Sequence, residues 1–548
     1  VTAGTLLTVA DLTVRTGDRT LLDGVGFALS AGERLGLIGE SGSGKSLTAL
    51  SVLGLLPDEL HASGSIVVDG GPGNLVGAPE RVWTSLRGDD IAMVFQEPMT
   101  ALNPLMRVGR QVAEMIELHQ RGTDRAGRRA ATLDLLASVN LPDPARIARS
   151  YPHELSGGQR QRVLIAIAMA NRPRVLICDE PSTALDVTVQ AQILDLIDTT
   201  VRDHDTSLLL ITHDLAVVSQ LCERVLVMRD GRIVESGPVA EVFADPQHPY
   251  TRSLLDASTL GPGSSASGEH AVASPEESGP APVFNEQPRP LVSVRGLGRT
   301  YRGSRSSLLR PPEPVHALAD ASFDIGPGQR FGVVGESGSG KSTLIRLLCA
   351  LDTPTTGSIR FGGQEVAGAP ERDLRGFRRD VSIVFQDPMG SLDPRMRVGE
   401  IVAEPLTDRT GAAAKVAEML IAVGLEPDMA RRHPHQFSGG QRQRISIARA
   451  LITSPKFLVA DEPVSALDVS VRAQVLDLLA RLVREYQLTL LLVSHDLAVV
   501  RHVCEVVAVM NRGRIVECGP TEDVYERPRD PYTRTLIGSA PILGRPAG

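Results

Sequence analysis

Lysine is almost missing from this chain. Of 57 basic residues only Lys45, Lys341, Lys415 and Lys456 are lysines, so arginine carries the positive charge and each remaining lysine asks for a reason. No extended block of basic residues occurs and the net charge is −8, which argues against nucleic acid as a main partner. Cysteine is scarce too: Cys178, Cys222, Cys349, Cys504 and Cys518 are odd in number, widely spaced and include no CxxC, which argues against a disulfide frame or zinc site and fits a reducing cytosol. Long apolar runs are absent, since VLIAIAMA (163–170) falls far short of the ~20 residues of a membrane helix. The opening VTAGTLLTVADLTV has neither a basic start nor a long apolar stretch, so the chain is expected neither to span a membrane nor to be secreted. What is present is 548 residues, 42% of them apolar, enough for at least two globular units with cores of their own.

Those units are written twice. GESGSGKS occurs at 39–46 and again at 335–342; VFQEPM (94–99) is followed by VFQDPM (384–389), SGGQRQR (156–162) by the identical run at 438–444, DEPSTALDV (179–187) by DEPVSALDV (461–469), and THDLAVV (212–218) by SHDLAVV (494–500). The spacing between copies shrinks before Gln386 and again between Gln386 and Ser438, then stays constant. Between the copies, residues 259–290 are rich in Gly, Pro, Ser and Ala and read as a flexible tether, which sets the domains at 5–258 and 291–541. Within each copy, short β-rich runs (34–39, 174–179, 207–212) alternate with helical patterns such as 189–201, predicting an α/β fold with a largely parallel sheet. Hairpins are expected at 223–237 and 505–519.

The octapeptide supplies the chemistry. Gly39, Glu40, Ser41, Gly42, Ser43, Gly44, Lys45, Ser46 and then Leu47 stand between a strand pattern and a helix pattern, the context a phosphate-binding loop requires. Glycines let backbone N–H groups close around phosphates, Lys45 reaches the terminal phosphates, and the Ser46 hydroxyl can coordinate Mg²⁺. Gly335, Glu336, Ser337, Gly338, Ser339, Gly340, Lys341, Ser342 and Thr343 repeat the arrangement. RVLICDE and KFLVADE are apolar runs ending in carboxylates at the edge of the sheet where ligands bind. Asp179 and Asp461 are therefore candidates to hold Mg²⁺, and Glu180 and Glu462 to polarise or deprotonate an attacking water. Ser156, Gly157, Gly158 and Gln159, like Ser438, Gly439, Gly440 and Gln441, open long helical patterns and offer a second anion-binding N-terminus. Cys178 within its strand reads as a small buried residue.

Taken together, these elements resemble the tandem nucleotide-binding domains of an ATP-binding cassette (ABC) transporter, with Walker A, Q-loop, signature, Walker B, D-loop and H-loop in order over nearly all of both halves. The resemblance implies P-loop NTPase domains, each with a β-subdomain and a helical signature subdomain, and an intramolecular dimer in which each ATP lies between the Walker A of one half and the signature of the other. Site one would combine Lys45, Ser46, Gln96, Asp179, Glu180 and His213 with Ser438–Gln441; site two would combine Lys341, Ser342, Gln386, Asp461, Glu462 and His495 with Ser156–Gln159. By the same resemblance, His213 and His495 contact the γ-phosphate, Gln96 and Gln386 couple the metal site to a membrane partner, and Asp186 and Asp468 of the D-loops cross the dimer interface. Both halves keep the carboxylate and a glycine-complete signature, with Phe437 in place of Leu155 before it, so two hydrolytic sites are expected. The adenine-stacking aromatic has a match in Tyr301, whereas residues 11–16 offer only Thr16 or its neighbours, predicting weaker adenine packing at site one.

Within the family, FQEPMTALNP and FQDPMGSLDP followed by MRVG, and the tails HPYTRSLL (248–255) and DPYTRTLI (530–537), resemble the ATPases of oligopeptide, dipeptide and nickel importers. A basic, Pro-containing insertion (301–318) resembles the partner-type subunit of dipeptide importers, so two normally separate subunits look fused, with the tether keeping them at high effective concentration. The cysteine-rich extension of many relatives is missing, and no iron–sulfur cluster is expected. The resemblance implies two integral-membrane permease subunits, an extracytoplasmic solute-binding protein and a peripheral place on the cytoplasmic face of the inner membrane. The arginine bias suggests a GC-rich bacterial genome. The expected cargo is a di- or oligopeptide; glutathione, nickel or another small solute are the alternatives, and a soluble tandem ABC ATPase acting on ribosomes or damaged DNA lacks its long charged linker or zinc cysteines here.

Overall fold

The computed structural model describes residues 4–120, 124–182, 185–258, 289–302, 314–465 and 467–539. The tether at 259–290 lies outside them except for its last two residues, as do most of the 301–318 insertion and Thr183, Ala184 and Ala466 of the D-loops. The described backbone forms two compact units, one built mainly from residues 4–258 and the other mainly from residues 289–539.

In the first unit, five strands run parallel in the order Ile91–Val94, Val175–Asp179, Ser207–Ile211, Arg34–Ile38, Arg224–Arg229, and Arg232–Pro238 adds an antiparallel edge. Val175–Asp179 and Ser207–Ile211 are buried at every position, as expected of strands covered on both faces. An antiparallel sheet orders Arg19–Ser30, Thr5–Thr16 and His61–Val68. Its strands alternate buried and exposed residues, and their inward set (Leu7, Val9, Leu12, Val14, Leu22, Ile66) shares one core with Leu35, Leu37, Ala49 and Val52. Between Ile91–Val94 and Val175–Asp179 the chain makes the helices Val108–His119, Arg125–Ser138, Pro144–Arg149 and Gly157–Ala168, whose apolar faces join a second core under the sheet.

The second unit repeats this plan. Val381–Val384, Phe457–Asp461, Thr489–Ser494, Arg330–Val334 and Val506–Asn511 run parallel, with Arg514–Pro520 antiparallel at the edge. Its antiparallel sheet orders Pro314–Ile325, Val292–Arg302, Thr356–Phe361 and the two-residue strand Gln364–Glu365. The shorter spacing before the signature is visible as shorter helices: Val398–Ala403 and Ala412–Ala422 stand where the first unit has Val108–His119 and Arg125–Ser138. In each unit adjacent parallel strands bring three loops to one edge of the sheet, the carboxyl end where ligands of open α/β sheets bind. Among the described residues no helix is long and apolar enough to cross a membrane.

Candidate active site

The phosphate loop follows Arg34–Ile38 and opens the helix Lys45–Val52. Gly39 has φ 152°, and a Cβ there would meet the Met228 carbonyl oxygen at 2.2 Å, so only glycine lets the loop leave the strand beneath the neighbouring hairpin. Lys45 is buried, and its Nζ donates to the carbonyl oxygens of Gly39 at 2.7 Å and Glu40 at 2.9 Å. Burial pushes its ammonium pKa down, opposed by the nearby carboxylates of Glu180 and Asp179. The second loop is the same in detail: Lys341 Nζ donates to Gly335 at 2.6 Å and to Glu336 at 2.9 Å, and a Cβ on Gly335 would meet the Met510 carbonyl oxygen at 2.3 Å. Ser41, Gly42 and Ser46 form an exposed lip.

Asp179 ends its strand and is buried, whereas Glu180 beside it is a non-glycine residue with φ 47°. Glu462 has φ 43°. Left-handed backbone costs on the order of 1 kcal/mol at such residues and persists where the surroundings fix it. Here the Glu180 N–H donates to Ile211 O at 2.8 Å and the Glu462 N–H to Val493 O at 2.9 Å, tying each glutamate to the adjacent strand. The carboxylates are then gripped from two sides. Gln96 Nε2 donates to Glu180 Oε2 at 3.0 Å and His213 Nδ1 stands 3.1 Å from Glu180 Oε1. In the second unit Gln386 Nε2 donates to Glu462 Oε2 at 2.8 Å and His495 Nδ1 stands 3.1 Å from Glu462 Oε1. Burial opposes ionisation of Glu462, but the His495 bond and the charges of His495 and Lys341 hold its pKa below the usual value. Burial likewise works against charge on His495, yet Glu462 raises its pKa overall. The predicted Gln, Glu and His thus meet at one point in each unit.

The signature residues are not part of this cluster; their hydrogen bonds close on their own helix turn. Ser156 Oγ accepts from the Gln159 N–H at 3.3 Å, and Gln159 Oε1 accepts from the Ser156 N–H at 3.0 Å, a capping box at the start of Gly157–Ala168. Ser438 and Gln441 form the same pair at the start of Gly439–Leu451. The glycines have a packing reason that sequence reading missed. A Cβ on Gly158 would meet Val189 Cγ1 at 2.5 Å, and one on Gly440 would meet Val471 Cγ1 at 2.3 Å, so the helix start lies hard against its neighbour.

Residues 22–183 and 318–465 match the ABC transporter family, and residues 234–272 and 516–548 match the oligopeptide/dipeptide transporter C-terminal region. The chain belongs to the ABC transporter family. Among curated relatives it is 46% identical to the glutathione import ATP-binding protein GsiA of Pectobacterium atrosepticum, over 94% of this chain and 86% of that protein. It is also 46% identical to the peptidoglycan transport ATP-binding protein YejF of Agrobacterium fabrum, over 98% and 96% respectively. The glutathione import protein of Escherichia coli K12 matches at 44%, over 94% and 86%.

An ABC cassette binds ATP, and its expected Mg²⁺ can be tested against the residues present. Asp179 Oδ1 is buried with no hydrogen-bond partner; burial pushes the carboxyl pKa up, while a hydrogen bond from Ser46 pulls it down. Asp461 is pushed up to about 6 by burial and by the charge of Glu462. A buried carboxylate beside a serine hydroxyl fits a hard cation that takes most of its remaining ligands from phosphates and water. The first strands of the two antiparallel sheets place Thr16 and Tyr301 in the same register. Val14 pairs with Leu22 and Arg299 with Leu318, so Thr16 and Tyr301 stand at equivalent places two residues further on. The Tyr301 hydroxyl donates to Asp352 Oδ2 at 2.7 Å and the Arg299 guanidinium lies 4.7 Å from its ring centre. Cys178 is fully buried in its strand.

Proposed function

We propose that this ABC ATPase energises import of short peptide-containing solutes, by hydrolysing ATP at two sites and passing the closure and opening of its domains to two integral-membrane permease subunits. The duplicated Gln–Glu–His cluster beside a phosphate loop carries the reading. Backbone N–H groups of residues 41–47 and 337–343 would hold the phosphates, and Lys45 and Lys341 would neutralise them. Glu180 and Glu462, oriented by Gln96 with His213 and by Gln386 with His495, would accept the proton of the attacking water at a carboxylate oxygen. His213 and His495 would offer their second ring nitrogen to the departing phosphate. Asp179 with Ser46, and Asp461 with Ser342, would hold Mg²⁺ together with Gln96 and Gln386; when bound, the cation offsets charge on the phosphate oxygens. Ser156–Gln159 and Ser438–Gln441 would add anion-binding helix starts to the set.

The cargo reading rests on the doubled oligopeptide/dipeptide tail region and on relatives named for glutathione import and peptidoglycan transport, whose shared chemistry is a peptide. The permeases, a solute-binding protein and a peripheral place on the cytoplasmic face of the inner membrane belong to the same proposal. Uptake of labelled dipeptide, oligopeptide, glutathione and nickel in a deletion strain tests it. Wild type should restore peptide or glutathione uptake and the Glu180→Gln/Glu462→Gln chain should not. Restoration of nickel alone would replace the cargo, and restoration of none would reject transport.

A further inference from the structure

The tails HPYT and DPYT entered the sequence reading only as family marks, yet their tyrosines reach the phosphate loops. Tyr250 is the second residue of the helix Pro249–Ser258, 210 residues from Glu40, and its phenol oxygen accepts the Glu40 backbone N–H at 2.9 Å. Tyr532 is the second residue of Pro531–Gly538 and accepts the Glu336 N–H at 3.2 Å. Glu40 and Glu336 are the second residues of their loops, and their carbonyls take the loop lysines. One residue in each loop is therefore held through its N–H by the tail and through its C=O by the lysine. The tails are fixed in turn: Glu235 accepts from the N–H groups of Gln247 at 2.8 Å and His248 at 3.0 Å, and Glu517 from those of Arg529 at 2.9 Å and Asp530 at 3.1 Å. Ring packing differs between the units. The Arg229 guanidinium lies 4.9 Å from the Tyr250 ring centre, while Asn511 holds that register position in the second unit. The contact common to both is the phenol oxygen on the loop N–H.

We propose that Tyr250 and Tyr532 are positioning residues of the two nucleotide sites, each clamping the second residue of its phosphate loop so that the loop keeps its shape when the lysine turns from the loop carbonyl to phosphate. A loop already in its bound form spends less binding free energy on ordering. This inference rests on the reading that these loops hold the phosphates of ATP. The test is equilibrium binding of MgATP to the full chain, with the unfolding midpoint measured without nucleotide, for wild type, Tyr250→Phe/Tyr532→Phe and Lys45→Ala/Lys341→Ala. The tyrosine variant should bind about 3- to 10-fold more weakly, the effect of losing one hydrogen bond. Unchanged affinity, with or without a lowered midpoint, would assign the tyrosines a purely structural role and overturn the inference. Unchanged affinity in the lysine variant would instead overturn the reading beneath it. Should the double tyrosine variant not fold, Tyr532→Phe on the half-buried tyrosine, in a Lys45→Ala chain, gives the same comparison at one loop.

Discussion

Glu180 and Glu462 hold a left-handed backbone conformation between a glutamine and a histidine, and removing their charge should separate binding from chemistry. Glu180→Gln/Glu462→Gln is expected to bind MgATP with affinity within about threefold of wild type while hydrolysis falls by roughly 10²-fold or more. Turnover close to wild type would show that another group takes the proton. At the adenine position, Thr16→Tyr in a Lys341→Ala chain should tighten ATP binding, since stacking on an aromatic contributes on the order of 1–3 kcal/mol. Equal affinity of the two isolated wild-type sites would remove the reason for that change. The loop lysines and strand-end carboxylates were legible because a sparse residue type and two ordered copies marked them, and the Gln and His came only through the family resemblance. Tyr250 and Tyr532 were visible as letters without a role, because only folding brings residues about 200 positions apart onto one loop. The positive φ of the glutamates had no sequence signal either, since glutamate is not a residue that announces such a turn.

At the scale of elements, the signature helices and the antiparallel sheet make separate demands. Gly158→Ala must displace Val189, a stiff β-branched side chain, and should cost about 1–3 kcal/mol in denaturant unfolding. A change below a few tenths of a kcal/mol would mean that the two helices part freely. In the second unit Asp352 accepts from Arg299, from the Tyr301 hydroxyl and from the Thr353 N–H. Burial alone would raise its pKa, but these partners hold it below the usual 3.8. The stability Asp352 adds is therefore complete above 3.8 and is lost as the pH falls through its lower folded value. Asp352→Asn should therefore cost about 1 kcal/mol at neutral pH, and the gap to wild type should close in acid. A gap independent of pH would count against the charged network. Strand and helix order could be read from the alternation of β-rich and helical runs, and the unequal spacing of the copies pointed to the shortened helices before Ser438. The glycine packing at Gly158 and Gly440 was not readable, because a glycine that exposes N–H groups and one that admits a neighbouring valine look alike in sequence.

The whole molecule is one plan written twice with the Gln–Glu–His cluster present in both copies, and the copies differ in a shorter helical region, Tyr301 against Thr16, and Asn511 against Arg229. Duplication made the fold legible, since each motif was confirmed by its twin. Both copies are expected to bind ATP, and the deciding measurement is the number of MgATP bound at saturation by the Glu180→Gln/Glu462→Gln chain, with Lys45→Ala and Lys341→Ala each added in turn. Two nucleotides per chain, falling to one with either lysine variant, is the predicted result. A single nucleotide per chain, lost with only one of the lysines, would contradict it.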